Sequence, residues 1–128
     1  MRAIFIAKAG GPEVLELRDA EQPAPAEGEI LVRVHAAGVN RADVLQRMGK
    51  YPAPPGVPAD IPGLEYAGEV TALGAGVTRW KAGDRVMGLV AGGAYAEYVV
   101  THEDTALAIP RGWSNDDAGA VPEVFLTA

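Results

Sequence analysis

Apolar and polar residues alternate along several short stretches of this chain, and glycine or proline separates most of them from the next. Arg2–Ala7 and Val14–Leu17 are apolar segments on either side of Gly10-Gly11-Pro12, which predicts two strands joined by a turn. In the run 30–36, Ile30, Val32, Val34 and Ala36 share one face of a strand, while Arg33 and His35 take the other. Alternation returns over 64–73, 85–90 and 94–100, with turns at Gly74-Ala75-Gly76, at Lys81-Ala82-Gly83-Asp84 and at Gly92-Gly93. Short strands at regular spacing, punctuated by glycine, predict an all-β barrel or sandwich with few helices.

Three stretches depart from that pattern. In 38–49 an apolar strand runs into Asn40, which predicts the N-cap of a short helix with Asp43 three residues on, a capping box with Asp in place of the usual Glu. Gly49 suits the left-handed position that closes such a helix. Ser114 predicts a second cap, with Asp116 and Asp117 in the first turn where the helix dipole favours acids. Pro122-Glu123 opens a third helix that runs to Ala128. Between Tyr51 and Pro62 the prolines 52, 54, 55, 58 and 62 exclude both a helix and a central strand. That stretch is a stiff extended loop, placed to wall a cleft or to serve as a plain surface connector.

Composition narrows the classes. The 128 residues suffice for one domain with a proper core, and 48% hydrophobic against 22% charged residues fits a globular protein. A net charge of −6 argues against nucleic acid or an anionic membrane as partner, since both need a basic surface. With no Cys there is no disulfide framework and no thiolate metal site. The apolar run 3–7 is cut short by Lys8, too short for a signal peptide, so a cytoplasmic location is expected. His35 has no second ligand at metal-binding spacing, and His102-Glu103 fails as His-Glu-x-x-His because Ala106 stands where the second His belongs.

Several motifs in fixed order carry a family likeness: Gly10-Gly11-Pro12-Glu13, Asn40-Arg41-Ala42-Asp43 followed by Gln46-Arg47-Met48-Gly49-Lys50-Tyr51, the run 62–70, Lys81-Ala82-Gly83-Asp84-Arg85-Val86, Gly93-Ala94-Tyr95-Ala96-Glu97-Tyr98 and the closing 122–128. On these the chain resembles the catalytic, GroES-like domain of the medium-chain dehydrogenase/reductase superfamily. Within it, the chain is most similar to the zinc-free, zeta-crystallin-like quinone oxidoreductases. The resemblance implies a mainly β fold, a GroES-like partly open β-barrel with a few short helices. It implies a catalytic domain over 1–120, and over 121–128 the start of a helix leading into a Rossmann cofactor domain. No Gly-x-Gly-x-x-Gly follows a strand here, because the run starting at Gly74 ends in Arg79. The 128 residues are therefore expected to be the catalytic half of a two-domain reductase that binds NADPH and, when complete, forms a homodimer.

The likeness also implies that zinc is absent. Zinc-dependent relatives carry Cys where this chain has Asn40 and His where it has Leu64, and neither replacement offers a thiolate or imidazole. Hydride transfer to a quinone or an α,β-unsaturated carbonyl then relies on positioning and hydrogen-bond donors. Tyr51 is the candidate catalytic donor, or else a ring packed on Pro52 and Pro54. Asn40 and Asp43 match positions near the nicotinamide and its ribose, or else are helix caps. Thr127 matches a position that bonds the carboxamide. Glu65 either orients its neighbours or is a buried acid paired with an Arg. Outside catalysis, a free-standing barrel of this kind could act as a protein-binding module, as the fold does in co-chaperonins.

Overall fold

The computed structural model of the chain describes residues 1–128. The strands β1 (Arg2–Ile6) and β2 (Leu15–Asp19) pair antiparallel as a separate hairpin, with Ile4 opposite Leu17. The main sheet holds β3 (Glu29–Ala36), β4 (Glu65–Leu73), β5 (Arg85–Leu89), β6 (Tyr98–His102) and β7 (Ala106–Ala108), all antiparallel, in the order β6-β3-β4-β5-β7. The sheet curls into a half-barrel, and the chain is mainly β, as expected. Its helices are α1 (Arg41–Arg47), α2 (Asn115–Gly119) and α3 (Pro122–Thr127).

The inward face anticipated for β3 packs the core. Ile30 and Val32 are buried with Tyr66, Val70, Val86, Ala94, Val99 and Ala106 in one cluster, and Arg33 and His35 face solvent. A second cluster of Ala67, Met87, Ile109 and Ala118 fastens α2 to the outer side of β4 and β5. The Tyr66 hydroxyl is fully buried without a hydrogen-bond partner of good geometry. The neighbouring Thr101 hydroxyl bonds Thr105 at 2.8 Å.

Two strands differ from the pattern-based expectation. Residues 94–97 alternate like a strand, yet β6 begins only at Tyr98. Most of their backbone groups are taken elsewhere: Ala94 and Tyr95 donate to Gly63 and Pro62, Ile4 donates to Tyr95, and Glu97 donates to Arg2. Only the Glu97 carbonyl, which accepts the Val34 N–H at 2.9 Å, continues the pairing with β3, so the segment chiefly crosses between the hairpin and the 62–63 corner. Strand β7 was not anticipated, because three residues cannot display a period of two. The proline-rich loop has neither helix nor strand, and α1, α2 and α3 start where their caps and Pro122 indicate.

Candidate functional site

The site is assembled where β3 ends. Gly38 and Val39 leave the strand, and Asn40, with extended backbone (φ −117°, ψ 159°), opens α1 as an N-cap should. Asn40 and Asp43 form a capping box whose firm bond is the carboxylate's: the Asn40 N–H donates to Asp43 Oδ2 at 2.8 Å. The Asn40 side chain lies toward the Asp43 amide but falls short of good hydrogen-bond geometry there. The Asp43 N–H goes to the Asn40 backbone carbonyl at 3.1 Å. The Asn40 Nδ2 turns the other way and donates to Glu65 Oε1 at 2.9 Å.

Asp43 is 5% exposed, and both of its oxygens are in use. Oδ1 accepts the Gly63 N–H at 3.1 Å, and Oδ2 accepts the Tyr95 hydroxyl at 2.9 Å beside the Asn40 amide. Tyr95 has one proton, and its oxygen also lies 3.2 Å from the Gly38 carbonyl; the ionised carboxylate is the shorter and stronger acceptor. Burial, then the bond to Asp43 and the charges of Asp43 and Glu65, push the Tyr95 phenol well above its ordinary pKa. It therefore stays a donor at neutral pH. Gly63 permits this corner: at φ +109° it adopts backbone that L side chains rarely take, and a Cβ there would lie 2.6 Å from the Tyr95 ring.

Glu65, at the start of β4, is 2% exposed. Its Oε1 accepts from Asn40 Nδ2, and its Oε2 accepts the Glu123 backbone N–H at 2.9 Å in the first turn of α3. No cation approaches it within ion-pairing distance, so the Arg partner considered from the sequence is not there. The carboxylate instead caps a helix.

Asn40, Asp43 and Glu65 are thus brought together. Tyr51 is not bonded to them. It stands 42% exposed beyond Gly49, in the loop after α1, and its hydroxyl makes no hydrogen bond to the protein. Thr127 lies in the last turn of α3, exposed, with its hydroxyl 3.4 Å from Glu123. Around it, Val124, Phe125 and Leu126 are all exposed, Phe125 by 73%. The residue that sequence reasoning missed is Tyr95. Its signal was the Gly92-Gly93 turn before it and Gly63 opposite, both marking close backbone approach.

No three His, Cys, Asp or Glu residues stand close enough to share a metal ion, and His102 instead accepts the Asp104 N–H through Nδ1. The largest cavity, about 510 Å³, lies away from this network, between Val57, Pro58, Leu89–Gly93 and the edge strand β6. Its polar lining is Glu29, His102 and the hydroxyls of Tyr98, Thr101 and Thr105, the last two bonded to each other, and none of its charged groups is buried. A smaller cavity of about 150 Å³ touches Asp43, Pro62 and Tyr95 directly. The buried polar groups make that end of the domain the better candidate for chemistry.

Known proteins share this arrangement of elements. The alcohol dehydrogenase GroES-like domain family matches residues 26–111, about two thirds of the chain. This chain belongs to that family. The human synaptic vesicle membrane protein VAT-1 homolog-like is 41% identical over the whole chain, and a quinone oxidoreductase of Pseudomonas aeruginosa is 45% identical over 94% of it. The chain spans 30% and 37% of these relatives' lengths. Among solved structures, the human VAT-1 homolog-like protein superposes with a TM-score of 0.92 at 40% identity, over 99% of this chain and 41% of that one. Escherichia coli quinone oxidoreductase, solved as a complex with NADPH, superposes with a TM-score of 0.84 at 39% identity, over 94% of this chain and 37% of that one. The GroES-like family anticipated from the motifs is the family found, and several of its members here are named quinone oxidoreductases.

Proposed function

We propose that these residues are the catalytic-domain portion of an NADPH-dependent, zinc-independent oxidoreductase that reduces quinones or α,β-unsaturated carbonyls, with a Rossmann domain supplying the rest of the cofactor site. The observation that carries this reading is the buried network at the start of α1, in which Asn40, Asp43, Glu65 and Tyr95 are bonded together beside an exposed apolar helix. A protein-binding scaffold has no need of two buried carboxylates there. The names of the relatives, quinone oxidoreductases among them, support the same reading.

Bound nicotinamide would supply the hydride. The chain's own residues fit such a ligand: Asn40 is half-buried, and one hydrogen of its Nδ2 has no protein partner, so it can donate to a ligand oxygen. Asp43, with both oxygens engaged, serves the cofactor side by holding Asn40 and Gly63 in place. Thr127 adds an exposed hydroxyl on α3. Tyr51 has a free phenol that can donate to the substrate oxygen as charge develops on it. The pyrophosphate has no cradle within 1–128, so the proposed remainder of the protein holds it. The complete protein is proposed to be a cytoplasmic homodimer; no helix here is long and apolar enough to cross a membrane.

Zinc independence is tested by elemental analysis of the complete protein together with turnover after chelation. No stoichiometric zinc and undiminished quinone reduction are expected. About one zinc per chain that survives chelation, as a closed protein site would hold it, overturns the zinc-free assignment.

A further inference from the structure

Glu65 combines three features that a structural acid does not need together. It is almost fully buried, it has no cationic partner, and its two oxygens serve donors from different elements, the Asn40 side chain and the first turn of α3. A buried carboxylate without a counter-charge is costly, and a glutamine of the same shape would avoid the charge. Glutamine would also fail here. Its single oxygen satisfies one donor, and its NH2 group is aimed at the other.

The surrounding backbone is cleared for the carboxylate. A Cβ on Gly38 would overlap Glu65 Oε1 and lie 2.8 Å from the Gly119 carbonyl at the end of α2, so the segment that leaves β3 passes tightly between this group and α2. Because both Glu65 oxygens accept here, the Asn40 amide presents Nδ2 to the carboxylate, and flipping the amide would set oxygen against oxygen. The second Nδ2 hydrogen has no protein partner, and Asn40 is only half-buried.

We propose that Glu65 is a positioning residue for cofactor binding: it locks Asn40 as a hydrogen-bond donor toward a carboxamide or ribose oxygen of the dinucleotide. This inference rests on the reading of the Asn40 face as the cofactor side. It adds that Asn40 acts through its nitrogen and that Glu65 acts through Asn40.

The test uses the complete protein and NADPH itself, titrated by fluorescence against wild type, Asn40→Ala, Glu65→Gln and the double variant, with Tm recorded for each. Each single variant is expected to weaken NADPH by about tenfold, the worth of one hydrogen bond. The double variant should be no weaker than Asn40→Ala beyond about twofold, the scatter within which the losses of independent sites add. A merely structural Glu65 moves Tm without this coupling. Additive losses in the double variant, or unchanged affinity in Glu65→Gln when Asn40→Ala is weakened, overturn the inference and leave the cofactor reading standing. Unchanged affinity in both single variants overturns the reading as well. Where Glu65→Gln does not fold, Glu65→Asp, which keeps the charge and withdraws it by one methylene, is judged by the same criteria.

Discussion

Tyr95 and Tyr51 separate what a residue does for the fold from what it offers a ligand. The Tyr95 hydroxyl bonds a buried carboxylate, so Tyr95→Phe leaves Asp43 short of a donor and is expected to cost about 1–3 kcal/mol in denaturant unfolding. Tyr51 is exposed and unbonded, so Tyr51→Phe should leave stability unchanged. In the complete enzyme it should lower kcat/KM for quinone by about tenfold, less than the loss of a fully enclosed oxyanion donor because water can partly replace it. Wild-type kcat/KM across several quinones and enones would reduce Tyr51 to a packing residue. Tyr66 is the opposite case: its orphaned hydroxyl makes Tyr66→Phe neutral or stabilising, by up to about 1 kcal/mol. Burial raises the pKa of both Tyr66 and Tyr95, so the native state keeps protons that the unfolded chain loses near pH 10. Neither phenol therefore makes stability depend on pH well below that value, and both lower it as pH rises through and above it. Urea titrations from pH 8 to 11 should show the decline, and Tyr95→Phe should make it shallower.

At the scale of elements, the local signals were readable and the long-range ones were not. Asn40 with Asp43, Ser114 with Asp117, and Pro122 each announced a helix start, because a cap is made within four residues of chain. The role of Glu65 was hidden, since its partners lie 25 and 58 residues away on two other elements. Residues 94–97 misled for a similar reason: their alternation is genuine, but their backbone partners are Pro62, Gly63 and β1, with β3 joined only at Glu97, which no local pattern reveals. The cap on α2 gives a clean check of the local physics. Ser114 Oγ accepts the Asp117 N–H at 3.0 Å, and its proton goes to Asp117 Oδ2 at 2.8 Å. Ser114→Ala should therefore cost about 1 kcal/mol and lower Tm by about 4 °C. An unchanged Tm would mean that α2 is held by Ala118 packing alone.

Across the whole molecule, the polar network and the exposed apolar side of α3 occur together, and that coincidence is what the functional proposal explains. Glu65 joins them physically, with one oxygen on Asn40 and the other on the first turn of α3. Val124, Phe125 and Leu126 would be covered by the proposed cofactor domain, and Thr127 would then face the same ligand as Asn40. The net charge of −6 is no obstacle, since the phosphates are assigned to that other domain. The most direct measurement is NADPH consumption by the complete, chelator-treated protein when a quinone or an α,β-unsaturated ketone is added. The account predicts NADPH oxidised in step with substrate reduced, and slowed by Asn40→Ala at limiting NADPH. NADPH left unconsumed across a panel of quinones and enones would contradict it.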